Sequence, residues 1–308
     1  MVEKANIPEI SQKHLHGIKN LSIEDINKIL KLSNFFKLKN KEKDKHYPIL
    51  KGRTIINLFF EPSTRTLISF EIAAKRLGAD VINMNIEGSS LRKGESLRDT
   101  AQTLGAMNPD LVVIRHGIDN ASKQIAEIIN CPVINAGEGI NEHPTQALLD
   151  AYTIVNNKRS LKNITVAICG DLEHSRVARS NYYLLKKMES NVRFVYPEFF
   201  KPKDLNKYDV ETYTNLAEGI TGTDIVMMLR IQNERITDTN LPSKESYFEE
   251  FGLTYEKLKL AKPDALVLHP GPINRNVEIE DRLADDLDKS VINEQVENGV
   301  AVRMACCQ

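Results

Sequence analysis

Thr54-Ile-Ile-Asn-Leu-Phe-Phe-Glu-Pro-Ser-Thr-Arg-Thr-Leu-Ile-Ser-Phe-Glu-Ile-Ala-Ala-Lys-Arg-Leu-Gly78 decides the fold class. The apolar run 54–60 reads as a buried strand, 61–65 as a loop, and 66–77 as a helix closed by Gly78 in the C′ position. A second strand follows at 80–85. Outward from there the alternation continues: helix 95–107, strand 111–115, helix 121–130, strand 132–135 and helix 144–156. Upstream, Ser22 with Asp25 opens an amphipathic helix over 22–37 as a capping box. The polar stretch 157–163 separates a second series, with strands at 164–169, 191–196, 209–214, 224–229 and 265–268 and helices at 175–188, 215–220 and near 244–260. The pattern predicts an α/β protein of two doubly wound parallel-sheet domains, because crossovers of this kind cover both faces of a sheet. The expected domains are 1–150 and 151–289, with a last helix at about 290–308 packing back on either one. The chain's 308 residues agree with two domains at roughly 150 residues each.

Forty-one Lys and Arg against forty-two Asp and Glu leave a formal net charge of −1, which excludes a global field for nucleic acid or an anionic membrane. Any anion must be gripped locally. Hydrophobic residues at 41% and charged residues at 27% match an ordinary soluble globular protein. Apolar runs such as Asp224–Leu229 and Ala265–Leu268 fall far short of the ~18 residues of a spanning helix. Residues 1–6 lack the basic and apolar segments of a secretory signal, so the expected location is the cytoplasm, with no membrane contact. Cys131, Cys169, Cys306 and Cys307 have neither C-x-x-C spacing nor a neighbouring histidine cluster, so no metal and no cofactor is expected. Cys131 and Cys169 read as small hydrophobes in apolar strand-like runs, and Cys306-Cys307 as exposed near the end.

In doubly wound sheets, ligands sit beyond the carboxyl ends of the strands, which directs attention to the loops there. Glu61-Pro-Ser-Thr-Arg-Thr66 gathers hydroxyls, an arginine and the N–H groups of a starting helix. Both helix capping and phosphate binding account for that composition. The later Gly170-Asp-Leu-Glu-His-Ser175 lacks the G-x-G-x-x-G turn, which argues against a dinucleotide site.

Phe59-Phe-Glu-Pro-Ser-Thr-Arg-Thr66 followed by Ser69-Phe-Glu71 resembles the carbamoyl-phosphate signature of the aspartate and ornithine carbamoyltransferases. Further motifs of that family occur in order: Ser89-Ser-Leu-Arg-Lys-Gly-Glu95, Ile114-Arg-His116, Asn135-Ala-Gly-Glu-Gly139, His143-Pro-Thr-Gln146, Gly170-Asp171 with Arg176, Arg230-Ile-Gln232 and His269-Pro-Gly-Pro272. The resemblance implies that Ser63, Thr64, Arg65 and Thr66 hold the phosphate of carbamoyl phosphate, with Arg115 as a second cation. It gives His143 to the carbamoyl oxygen, Gln146 to the carbamoyl nitrogen, and backbone contacts to Gly271 and Pro272. Arg65, Thr66, Lys93, Arg115 and His143 are the implied catalytic residues, and the implied active site lies in a cleft between the domains.

Arg176, Arg230, Gln232 and Lys93 are the implied contacts for the second substrate. Two arginine forks suit two carboxylates, and His269-Pro-Gly-Pro272 stands where an ornithine enzyme carries a His-Cys-Leu-Pro segment. The implied reaction is therefore carbamoyl transfer to L-aspartate, the alternative being another amine such as ornithine. In the family the loop bearing Lys93 reaches into a neighbouring subunit, so a homotrimer with shared active sites is implied. Assembly into a dodecamer with regulatory chains stays open, as does the choice between Ser89 and Ser90 for the hydroxyl expected beside Lys93.

Overall fold

The computed structural model describes residues 10–85, 95–232, 235 and 242–308. The chain divides into two compact units, one running to Tyr152 and resuming from Val296 to Gln308, the other Thr153–Gln295.

The first unit holds a four-stranded, all-parallel sheet of β1 (Thr54–Phe59), β2 (Asp80–Asn85), β3 (Leu111–His116) and β4 (Val133–Glu138), ordered β2-β1-β3-β4. Ile56, Leu58, Val112 and Ile114 pack on Ala101 and Leu104 of α3 (Leu97–Ala106) and on Ala121 and Ile125 of α4 (Ala121–Ala126). Ile55, Asn57 and Val113, which alternate with them, are buried too. Burial on both faces is what a parallel sheet requires, and it explains the unbroken apolar run at 54–60. The helix α1 (Ile23–Lys39) starts as its sequence suggests, with the Ser22 hydroxyl accepting from the Asp25 N–H at 3.0 Å. In α2 (Thr64–Arg76), Gly78 sits at φ +85 while Ala79 and Gly78 donate to the carbonyls of Ala74 and Lys75. That paired closure is the Schellman pattern, and it needs a residue free to turn left-handed.

The second unit holds five parallel strands, β5 (Thr165–Cys169), β6 (Asn191–Val195), β7 (Glu211–Tyr213), β8 (Ile225–Met228) and β9 (Leu266–Leu268), ordered β7-β6-β5-β8-β9. Helices α5 (Pro144–Lys158), α6 (Arg176–Lys187) and α7 (Leu216–Ile220) follow the expected order. The single helix expected near 244–260 is instead two, α8 (Lys244–Phe251) and α9 (Tyr255–Leu258). Leu253 forms a parallel bridge with Ile279 and Thr254 caps α9, so tertiary pairing interrupts a helical pattern. The helices α10 (Asp281–Ala284) and α11 (Ile292–Cys306) complete the chain. Two cysteine expectations are corrected. Cys307 is buried and Cys306 half-buried rather than exposed, and Cys131 precedes β4 instead of lying in a strand. Burial pushes the thiols of Cys307 and Cys169 far up and that of Cys306 up to about 12, which disfavours the thiolate at all three.

Candidate active site

In the first sheet the strand order reverses at β1, so the loop after β1 and the end of β3 meet at a switch point. Ser63 precedes α2 in extended backbone, φ −160 and ψ 88, and its hydroxyl makes no capping bond. Capping therefore does not account for the Ser63 hydroxyl. The first turn of α2 contains no acidic residue, so its N–H groups meet no carboxylate of their own helix, which suits an anion. Arg65 and Thr64 are exposed, Ser63 is half-buried and Thr66 is buried. Arg115 pairs in register with Phe59, which places it beside this loop. Its Nη1 donates to the Ala136 carbonyl at 3.1 Å and its Nε lies 3.6 Å from Glu61 Oε2, so one backbone carbonyl and one side-chain carboxylate orient the guanidinium.

His143 and Gln146 follow β4, the neighbour of β3. A turn with Gly137 and Gly139 at φ +111 and +44, closed by a bridge between Glu138 and Glu142, delivers His143 to the start of α5. A Cβ on Gly139 would lie 1.9 Å from Asp119 Oδ1, so no larger residue fits there. Pro144 occupies the first helical position, where its missing N–H costs nothing. His143 and Gln146 are both buried. Gln146 Nε2 donates to Asp150 Oδ1 at 2.8 Å, which fixes the amide and turns Oε1 to the role of acceptor. Asp150 in turn faces Arg303, a fully buried guanidinium that lies 5.2 Å from the Phe70 ring and whose pKa burial pulls down to about 10. Sequence reading missed Asp150, although its i+4 spacing from Gln146 was visible; Arg303 had no local signal.

In the second sheet the reversal falls at β5, and β8 lies on its other side. The loop after β5 carries Asp171, which has no exposure. Its Oδ1 accepts from the His174 N–H at 3.1 Å and pairs with His174 Nδ1 at 2.9 Å, while Oδ2 accepts from the Gln232 N–H at 3.2 Å. The Asp171 bond raises the His174 pKa, against burial. Gln232 Nε2 and Arg235 Nη1 donate to the His174 carbonyl at 2.8 and 3.3 Å. Arg176 opens α6 with only 5% exposure, and Arg230 is half-buried just past β8. Arg179, one turn after Arg176, turns inward: Nη1 donates to the carbonyls of Leu172, Glu173 and Ser175 at 3.3, 3.1 and 3.4 Å, and Nη2 to Asp204 at 3.2 Å.

The fold thus brings Ser63–Thr66 and Arg115 to adjacent strand ends in the first unit, with His143 and Gln146 on the next. In the second unit it brings Arg176, Arg230 and Gln232 to adjacent strand ends. Gly271 and Pro272 follow β9, the neighbour of β8, and Gly271 has φ +66, a conformation that suits glycine. Lys93, Ser89 and Ser90 lie outside the described residues. Among the described residues no three or more His, Cys, Asp or Glu cluster as metal ligands, and no helix is long and apolar enough to cross a membrane.

The domain family described as aspartate/ornithine carbamoyltransferase, carbamoyl-P binding domain, matches residues 13–156, and that of the Asp/Orn binding domain matches 162–307. The aspartate carbamoyltransferase catalytic subunit of Pelagibacter ubique is 55% identical over 298 residues, covering 97% of this chain and 95% of that one. The subunit of the same description from Parvibaculum lavamentivorans is 54% identical over 303 residues, covering 98% and 93%. Among solved structures, aspartate transcarbamoylase from Trypanosoma cruzi in complex with carbamoyl phosphate and aspartate superposes with a TM-score of 0.87 at 30% identity, covering 98% of both chains. Ornithine carbamoyltransferase from Pyrococcus furiosus gives 0.85 at 26% identity, covering 96% of both.

Proposed function

Because the chain belongs to the aspartate/ornithine carbamoyltransferase family, we infer that it transfers the carbamoyl group of carbamoyl phosphate to the amine of L-aspartate, giving N-carbamoyl-L-aspartate and phosphate. The observation that carries the choice of aspartate is the 55% identity, over 97% of the chain, to a catalytic subunit of that activity. The chemistry agrees, since Arg176 and Arg230 stand on adjacent strand ends and offer one fork per carboxylate.

In this reading Ser63, Thr64, Arg65 and Thr66 take the phosphate at the start of α2, and Arg115 supplies the second positive charge. His143 donates to the carbamoyl oxygen, and Gln146 accepts from the carbamoyl nitrogen through Oε1. The aspartate amine attacks the carbonyl carbon, and Arg65, Thr66 and His143 stabilise the oxyanion, one such donor contributing about 3 kcal/mol. Phosphate then leaves and takes the amine proton. No covalent nucleophile is needed, because orienting the two substrates supplies much of the rate enhancement. Arg176, Arg230 and Gln232 hold the dicarboxylate, and Gly271 and Pro272 contribute backbone contacts. Lys93, with Ser89 or Ser90, completes the site of a neighbouring copy in a homotrimer. The product's carbamoylated amine and free carboxylates suit ring closure toward a pyrimidine, which supports a role in pyrimidine biosynthesis; the cytoplasm is the proposed location.

Purified protein supplied with carbamoyl phosphate and either aspartate or ornithine provides the test. Carbamoyl-aspartate is expected to accumulate, with no carbamoylated ornithine; the opposite product pattern overturns the assignment.

A further inference from the structure

Glu278 is a carboxylate with no solvent exposure, and its acceptors point at two loops rather than at one opposite charge. Oε1 accepts from the backbone N–H of Ile231 at 3.0 Å and from Asn274 Nδ2 at 2.6 Å. Oε2 accepts from the backbone N–H of Asn274 at 2.6 Å and faces His269 Nε2 at 3.7 Å, where both side chains are sealed from solvent. His269 Nδ1 accepts from the Gly271 N–H at 2.8 Å, so a neutral ring carries its proton on Nε2, toward Glu278. The residue's own backbone is held as well, Leu253 donating to its carbonyl at 2.9 Å and its N–H donating to the Asn274 carbonyl at 3.2 Å.

Ile231 lies between Arg230 and Gln232, and His269 to Asn274 includes Gly271 and Pro272. A single buried carboxylate therefore ties the segment after β8 to the segment after β9. If filling space were its only role, an apolar side chain of similar volume would do so without desolvating a charge. We propose that Glu278 is a positioning residue for the dicarboxylate substrate: by holding the Ile231 N–H and Asn274 together, it sets where Arg230 and Gln232 meet that substrate. The proposal rests on the assignment of Arg230 and Gln232 given above.

Glu278→Gln preserves volume but sets an NH2 against a donor, either Asn274 N–H or the Ile231 side of the network. The expected result, in a variant that remains folded by thermal unfolding, is an aspartate KM raised about tenfold, with the carbamoyl phosphate KM within about twofold of the parent. An aspartate KM unchanged within about twofold overturns the proposal. Arg230→Ala measured beside it separates the two claims. If Arg230→Ala leaves the aspartate KM unmoved, the site assignment itself fails; if it raises KM and Glu278→Gln does not, only the positioning role fails. Should Glu278→Gln not fold, Asn274→Ala decides by the same split: a selective rise of about threefold or more in aspartate KM supports the role, and a smaller one overturns it.

Discussion

The loops after β1 and β5 occupy corresponding places, each at the strand where its sheet's order reverses, yet they are built on different principles. The loop after β1 offers a helix start whose preceding serine does not cap it, and an arginine exposed to solvent. The loop after β5 is built of side chains fixed from within, Arg176 nearly buried, Asp171 fully buried, and Arg179 drawing three carbonyls of the loop together. Under the proposed function, the difference suits the two ligands. A phosphate dianion is met by converging N–H groups, which any helix start supplies, whereas two carboxylates on a flexible small molecule demand forks held at a set separation.

Removing the exposed cation tests the first half of this contrast most severely. Arg65→Ala should lower kcat/KM by about a thousandfold while shifting stability by less than about 0.5 kcal/mol, since the side chain is exposed; steady-state kinetics and thermal unfolding read the two effects. A comparable loss of stability would show that the loop after β1 is built like its counterpart. For the second half, Arg176→Lys keeps the charge and loses the fork. An aspartate KM raised about thirtyfold, with carbamoyl phosphate binding unchanged, is expected; equal affinity would mean that charge alone suffices there.

The smallest effect concerns His174. Its pKa is raised by the bond to Asp171, so the stabilisation it provides is fully present below the ordinary histidine value of about 6.5 and is lost as pH rises through the raised value. Thermal unfolding of the parent and His174→Gln from about pH 5.5 to about pH 8.5 should show a gap of about 1 °C that closes toward the alkaline end. A gap that widens instead would remove the Asp171–His174 pair from the account of this loop.

Much of the architecture was legible because strands buried on both faces leave unbroken apolar runs and their helices leave a different period. Thr54–Phe59, Thr165–Cys169 and Ile225–Met228 all lie where the hydropathy places them. The region 244–260 was misread, since Gly252-Leu253-Thr254 breaks the helix by pairing with a segment some 25 residues away in sequence, which no local pattern records. The candidate contacts were legible as motifs, from Ser63–Thr66 to Arg230 and Gln232. The groups that hold them were not.

By itself, then, the sequence determined the alternation of strands and helices, the absence of a global charge field, and the ordered motifs that carry the family resemblance, because these depend on local periodicity and on residue identity. Only the tertiary structure decided that the Ser63 hydroxyl does not cap its helix, that Arg179 faces inward while Arg176 opens its helix, and that Asp150, Asp171 and Glu278 are buried supports. Each of those outcomes depends on where a distant backbone N–H or carbonyl arrives. That is a property of strand order and loop closure, which residue identity alone leaves unspecified.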